Sequence, residues 1–298
     1  VAMTTASTPH KRYVQLLYFA VGIVLAMVQS AYSVMKSTYQ RLRPQPAKSL
    51  HGKIVLISAA GHDLGRQLAL EFWRHGCTVV CVDTDQNANN LTAHNINTRH
   101  HRNLQNTEET KKERCIAAYA YTCDVRDRIQ VATLASRVQQ DVGQVDILVN
   151  NTGIKPLLHV EPAKAVDVVN VNLLSHFWMV LAFLPSMVKR NEGHVVAISS
   201  VAGLCGLANK EPHSTSKYPA AGFMKALSKE MRLDSHNIKF TCAYSYFVNS
   251  TTDLPEQLDL RIPELSPEHA AIEIVNAVRH NIDTITVPKS LLFWLNVF

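Results

Sequence analysis

The chain has 298 residues, 47% of them hydrophobic and 18% charged, enough to bury one large core or two small ones, with no internal repeat and no long low-complexity run. Its net charge of +6 lies ahead of Lys53, where Lys11, Arg12, Lys36, Arg41, Arg43 and Lys48 meet no acidic residue, and beyond that point 24 basic side chains balance 24 acidic ones. A nucleic-acid binder carries its charge on the folded part, so the neutral remainder argues against nucleic acid, and basic residues flanking an apolar segment suit a membrane surface.

Residues 1–12 read as a tail. Tyr13–Met35 (YVQLLYFAVGIVLAMVQSAYSVM) holds an unbroken apolar stretch from Leu16 to Val28. A bilayer crossing takes roughly 20 residues, which the segment reaches if Gln15, Gln29 and Ser30 are tolerated near its ends. A membrane anchor helix is the expected role. A cleaved signal peptide and an amphipathic helix packed on the fold are the alternatives. More positive charge follows the segment than precedes it, so the following domain is expected in the cytosol. Glycan on the Asn90-Leu91-Thr92 sequon would contradict that topology.

A basic linker, 36–52, leads to a single α/β domain spanning 53–298. KIVLIS (53–58) is a β-branched run expected to form the first buried strand. AAGHDLGRQLALEFWRHG then gives a small-residue turn and a helix ended by Gly76. Strand, turn and helix in this order aim helix-start amides at a phosphate. CTVVCVD is a second strand ending in Asp83, whose carboxylate can accept both ribose hydroxyls of an adenosine and so favours NAD over a 2′-phosphorylated cofactor; an ordinary solvated strand-end carboxylate is the plain alternative. From Gln86 to Arg114 the chain is rich in Asn, His and charge without clear periodicity. It reads as a surface excursion with a short helix near Thr107–Arg114. No Cys/His spacing completes a zinc site, and His100-His101 read as solvated. The six cysteines form no CxxC pair and sit mostly in apolar runs, as buried free thiols do.

The next motifs are specific. YAYTCDV ends a third strand at Asp124, VDILVNNTG closes a fourth with Asn151 and Gly153, and VNVNLLSHFW places Asn172 inside a long helix. GHVVAISSVAG gives a fifth strand ending at Ser199-Ser200, and HSTSK sets Lys217 four residues after His213 on one helical face. The series resembles the classical short-chain dehydrogenases/reductases over 53–288, and most closely their membrane-associated branch with retinol dehydrogenases and lipid-droplet hydroxysteroid dehydrogenases. The resemblance implies a Rossmann-type, doubly wound parallel sheet of about seven strands. It assigns the catalytic positions to Asn172, Ser200, His213 and Lys217. The nicotinamide cofactor falls to Ser58, Gly61, Leu64, Gly65, Asp83, Asp124, Val125, Asn151, Gly153 and Lys217, although Asn151 and Asn172 could serve only to stitch strand to helix. It further implies a lipophilic alcohol or ketone as substrate, pairing into a homodimer through the helices carrying Asn172 and Lys217, and an endoplasmic-reticulum or lipid-droplet location.

Three departures from the family pattern fall on one pathway. His213 stands where the family has tyrosine. Imidazole is a capable acid/base, but beside the Lys217 cation its protonated form is disfavoured, and its nitrogen stops short of a phenol's oxygen by roughly 2 Å where misplacement of about 1 Å can cost 10²-fold. Ala59 and Asp63 replace glycines of the cofactor turn, the latter adding bulk and negative charge where a pyrophosphate approaches. The Pro-Gly pair after the sixth strand is missing, with Ser245 in its neighbourhood. The expected function is an NAD-linked oxidoreductase with impaired catalysis; the alternative is an inactive relative that binds lipid, cofactor or a partner. LDLRIPELSPEHAAIEIVNAVRH suits a substrate loop and helix, ITVP a seventh strand, and LLFWLNVF an apolar ending that touches membrane, closes the cleft or packs in the core.

Overall fold

The computed structural model describes residues 9–42, 46–105, 117–154, 162–205, 211–246, 248 and 264–291. Two units separate, 1–46 and 47–298. The first is a helix, α1 (Pro9–Leu42), with Tyr13–Tyr32 apolar and exposed over 20 residues. It outruns the apolar segment at both ends. Residues 36–42, expected in a linker, are helical because nothing between Met35 and Leu42 is Pro or Gly.

The second unit is a seven-stranded parallel sheet in the order β3-β2-β1-β4-β5-β6-β7. Its strands are β1 (Ile54–Ser58), β2 (Thr78–Asp83), β3 (Ala118–Thr122), β4 (Ile147–Asn150), β5 (Gly193–Ser200), β6 (Ile238–Ser245) and β7 (Thr284–Val287). Runs such as Val55-Leu56-Ile57 and Val195-Val196-Ala197 are buried whichever way they face, as a sheet covered on both sides requires. One layer packs Leu64, Leu68 and Phe72 of α2 (Asp63–Arg74) with Ile274 and Val278 of α8 (Pro267–Arg279) against Val55, Ile57 and Val79. The opposite layer sets Leu134 and Val138 of α4 (Arg128–Asp141), Phe183 and Met187 of α6 (Ser175–Arg190) and Met224 of α7 (Glu211–Leu233) against Leu56, Val80 and Leu148. Each such apolar side chain contributes about 1.5–3 kcal/mol by leaving water.

The excursion after β2 is a correction: residues 86–105 form helix α3 (Gln86–Gln105). Its inner face is Asn89, Thr92, Ala93 and Ile96, all buried at helical spacing, but half of that stripe is polar. Asn89 Nδ2 donates to the carbonyls of Cys81 and Tyr121, and Thr92 Oγ1 to that of Ala60. Asn97 Nδ2 donates to the Ala118 carbonyl, and its Oδ1 accepts from the amides of Ala117 and Ala118. The helix is stitched to the sheet by hydrogen bonds where hydrophobic periodicity finds nothing. The short helix expected at 107–114 lies outside the described residues.

A second difference is local. Asn172 sits in a π-helical turn (Asn170–Leu174) between α5 (Pro162–Val169) and α6, rather than in a continuous α-helix. Such single turns frequently mark functional positions.

Candidate active site

Strand order reverses between β1 and β4, and the crevice beyond their carboxyl ends is where ligands bind in sheets of this kind. The candidate residues come from five strand ends, the π-helical turn and helix α7.

The β1–α2 turn is tight. A Cβ on Gly65 would lie 1.8 Å from the Ala59 carbonyl oxygen and 2.8 Å from Asn151 Nδ2, so only glycine fits. A Cβ on Gly61 would stand 2.9 Å from an Asp83 carboxylate oxygen. Ala59 and Asp63 both hold left-handed backbone, with φ of 53° and 39°, at the two positions where the family keeps glycine. Left-handed backbone costs an L-residue about 1–2 kcal/mol, less for Asp. Arg66, one turn into α2, folds back to donate from Nε and Nη2 to the Gly61 carbonyl.

Asp83 Oδ2 accepts from the Gly61 amide at 2.8 Å and Oδ1 from the Asp85 amide at 3.1 Å. Each carboxylate oxygen keeps a further lone pair for a ribose hydroxyl. Ser58 is buried, and its hydroxyl accepts from the amides of Asn151 and Thr152, while Asn151 Nδ2 donates to the carbonyls of Ser58 and Ala59. Both therefore hold the turn against the end of β4. Leu64 and Val125 are buried in the core, so what they present to the crevice is backbone. Asp124 is paired with Arg126 at 2.7 Å, which holds its carboxyl below the usual range.

At the other end of the crevice, Asn172 is fully buried. Its Oδ1 accepts from the Ile154 amide at 2.8 Å, and its Nδ2 donates to the Ile154 carbonyl and to Ser216 Oγ at 2.9 Å. Ser216 Oγ in turn donates to the His213 carbonyl at 2.8 Å. Lys217 is buried, and its Nζ donates to the Ile198 carbonyl at 3.2 Å. A Cβ on Gly153 would approach that Nζ to 3.0 Å and Asn172 Oδ1 to 3.3 Å, so glycine keeps this corner open. Burial pushes Lys217 down to about 8. His213 and Lys217 lie one turn apart on α7, and neighbouring Tyr218 is exposed, on another side of the helix. Ser200 Oγ accepts from the Ala202 amide at 3.2 Å and retains its own hydrogen to donate. Ser245 Oγ donates to the Ser199 carbonyl at 3.2 Å, closing β6 onto β5; the loop after it, 249–263, lies outside the described residues.

Three participants had no place in the sequence reading. Ser216 links Asn172 to α7 and was visible inside HSTSK. Arg66 braces the turn. His176, inside VNLLSHFW, is fully buried near Lys217, and burial with that cation pushes it down to about 3.

Fold and crevice together define a protein of the doubly wound α/β class. The short chain dehydrogenase family profile matches residues 53–260, and the chain belongs to that family. Among its relatives are the Bos taurus short-chain dehydrogenase/reductase family 16C member 6, 34% identical over 83% of this chain and 76% of its own. The human 17-beta-hydroxysteroid dehydrogenase 13 is 31% identical (93% and 87% covered), and the Mus musculus epidermal retinol dehydrogenase 2 is 33% identical (91% and 85% covered). A Burkholderia phymatum short chain dehydrogenase/reductase solved in complex with NAD superposes with a TM-score of 0.71 at 21% identity, over 83% of this chain and 93% of that one.

Proposed function

We propose that the chain is a membrane-held, nicotinamide-linked oxidoreductase acting on a lipophilic alcohol or ketone of retinoid or steroid type, with a weakened reaction centre. The observation that carries it is the buried Lys217 ammonium, facing Gly153 on a helix that Ser216 ties to Asn172. A buried amine with no carboxylate within ion-pair distance among the described residues fits the hydroxyls of a nicotinamide ribose. At the adenosine end, the spare lone pairs of Asp83 suit a free ribose hydroxyl and would repel a 2′-phosphate, which favours NAD. Relatives named as retinol and hydroxysteroid dehydrogenases support the substrate class. The apolar Tyr13–Tyr32 helix supports a membrane anchor, with the folded unit in the cytosol at the endoplasmic reticulum or lipid droplets. Pairing of two copies through the helices bearing Asn172 and Lys217 belongs to the same reading.

A bound nicotinamide supplies or takes the hydride. Ser200 donates its hydrogen to the substrate oxygen, and the Lys217 cation holds the ribose. His213 takes the hydroxyl proton as an alcohol is oxidised and returns it as a ketone is reduced.

A second reading, a family member that binds without turnover, is favoured by the left-handed Ala59 and Asp63 at the pyrophosphate turn. Titration of the full chain with NAD(H) and NADP(H), followed by assays on retinol and steroids beside His213→Tyr and His213→Ala, separates the two. Wild-type turnover lost in His213→Ala supports the oxidoreductase. Absence of any nicotinamide binding overturns it.

A further inference from the structure

At the opposite, amino-terminal edge of the sheet lies a cavity of about 220 Å³ between the starts of β1, β4, β5 and β6. Lys48, Lys53 and Lys239 line it, with Asp146, Glu192 and the buried His194. The carboxylates are committed: Glu192 pairs with Lys53 at 2.6 Å, and Asp146 with Arg190 at 2.9 Å while accepting from the Ile54 amide. Among the described residues neither Lys48 nor Lys239 has a carboxylate within 4.0 Å.

Lys48 is positioned by a relay through the protein interior. Its backbone amide donates to the Arg279 carbonyl, and its Nζ donates at 2.7 Å to His194 Nδ1. Accepting there makes Nε2 the protonated ring nitrogen, which then donates to Thr241 Oγ1 at 2.9 Å, and Thr241 donates on to the Ile282 carbonyl at 2.8 Å. His194 is 1% exposed, and burial with the charges of Lys48 and Lys239 keeps it neutral. Burial, Lys239 and Lys53 together push Lys48 itself down to about 8, a penalty that a bound anion would remove.

We propose that this cavity binds a phosphate group, held between the Lys48 and Lys239 ammoniums. Phosphate suits it because two compact point charges, Lys48 ahead of β1 and Lys239 on β6, can each meet a different oxygen of a tetrahedral anion. The same headgroup chemistry is offered by a soluble phosphate ester and by an acidic phospholipid, and Lys48 follows shortly after the apolar helix in the chain.

The test uses the full chain in detergent micelles, titrated with inorganic phosphate against sodium chloride at matched ionic strength. A parallel arm measures flotation with phosphatidylcholine vesicles with and without phosphatidic acid. Lys239→Gln, at an exposed position, and Lys48→Met should each weaken the phosphate-dependent signal about tenfold, the loss of one charge-assisted hydrogen bond. Binding of inorganic phosphate identifies a soluble source as sufficient; a phosphatidic-acid increment without it identifies the lipid. Failure of both arms to exceed their controls overturns the proposal. So does binding that survives Lys239→Gln unchanged, which keeps the test decisive even if Lys48→Met does not fold.

Discussion

The Asn172 carboxamide donates to Ser216 Oγ across 2.9 Å, joining a π-helical turn on one side of the crevice to the helix that bears His213 and Lys217. Ser216 passes the constraint on, through its own hydrogen bond to the His213 carbonyl. Ser216→Ala leaves a buried carboxamide hydrogen without its partner and should cost about 1–3 kcal/mol, read as a lower denaturant midpoint at unchanged m-value. Ser216→Thr, which restores the hydroxyl, should recover most of it. If Ser216→Ala is as stable as wild type, Asn172 does not position α7.

The β1–α2 turn separates strain from cofactor binding. Gly65→Ala would press a methyl into the Ala59 carbonyl and should destabilise by about 3 kcal/mol or leave the protein insoluble. Ala59→Gly relieves left-handed backbone and should gain about 0.5–1 kcal/mol after the larger unfolded-state entropy of glycine is counted, about 2–4 °C per kcal/mol in melting temperature. Asp63→Gly also removes a favourable negative charge from the start of α2, so its stability should barely change while dinucleotide affinity rises. Calorimetric melting and NAD titration on the same samples check both.

His176 gives the protein an acid sensitivity that carboxylates alone would not produce. Its folded pKa of about 3 lies below the unfolded 6.5, so the unfolded chain binds the extra proton between those values. Stability from this group is whole above pH 6.5 and falls as the pH drops toward 3, by about 2 kcal/mol at pH 5. Denaturant unfolding of His176→Gln should show a flatter slope between pH 7 and 5. His194, shifted in the same direction, keeps the slope from vanishing. An unchanged slope would show that His176 is solvated.

Lys217 works in the alkaline range. Its folded pKa of about 8 lies below the unfolded 10.5, so the folded state sheds its proton first and stability should rise with pH from about 8 to about 10.5. Lys217→Met removes this cost but strands the Ile198 carbonyl, for a net gain of about 1–2 kcal/mol at pH 7 with loss of ribose anchoring. The gain should shrink as the pH approaches 10. A constant difference across that range would contradict the burial penalty.

How much of this was legible in the residues depends on what kind of force holds each part. Strands such as KIVLIS and GHVVAISS carry a central apolar run and form where that run places them, while the third strand, expected to reach Asp124, ends at Thr122. Helix α3 was missed because Asn89, Thr92 and Asn97 anchor it by hydrogen bonds, a face that composition reads as loop. The π-turn at Asn172 was invisible because its sequence, NVNLL, carries no breaker. The motif residues come together around one crevice, but the side chains that hold them there, Ser216 and Arg66, speak only once neighbours across the fold are known.

The Asp83 carboxylate is bonded to the Gly61 amide 22 residues earlier, so the group that would choose between dinucleotides also sets the shape of the loop that receives their phosphates. On the proposed reading, selectivity and affinity would thereby be coupled through a single side chain. An exchange such as Asp83→Ser, made to admit a 2′-phosphate, would untether the loop and lower affinity for every dinucleotide at once. A change of cofactor preference made at Asp83 would need a new acceptor for that amide.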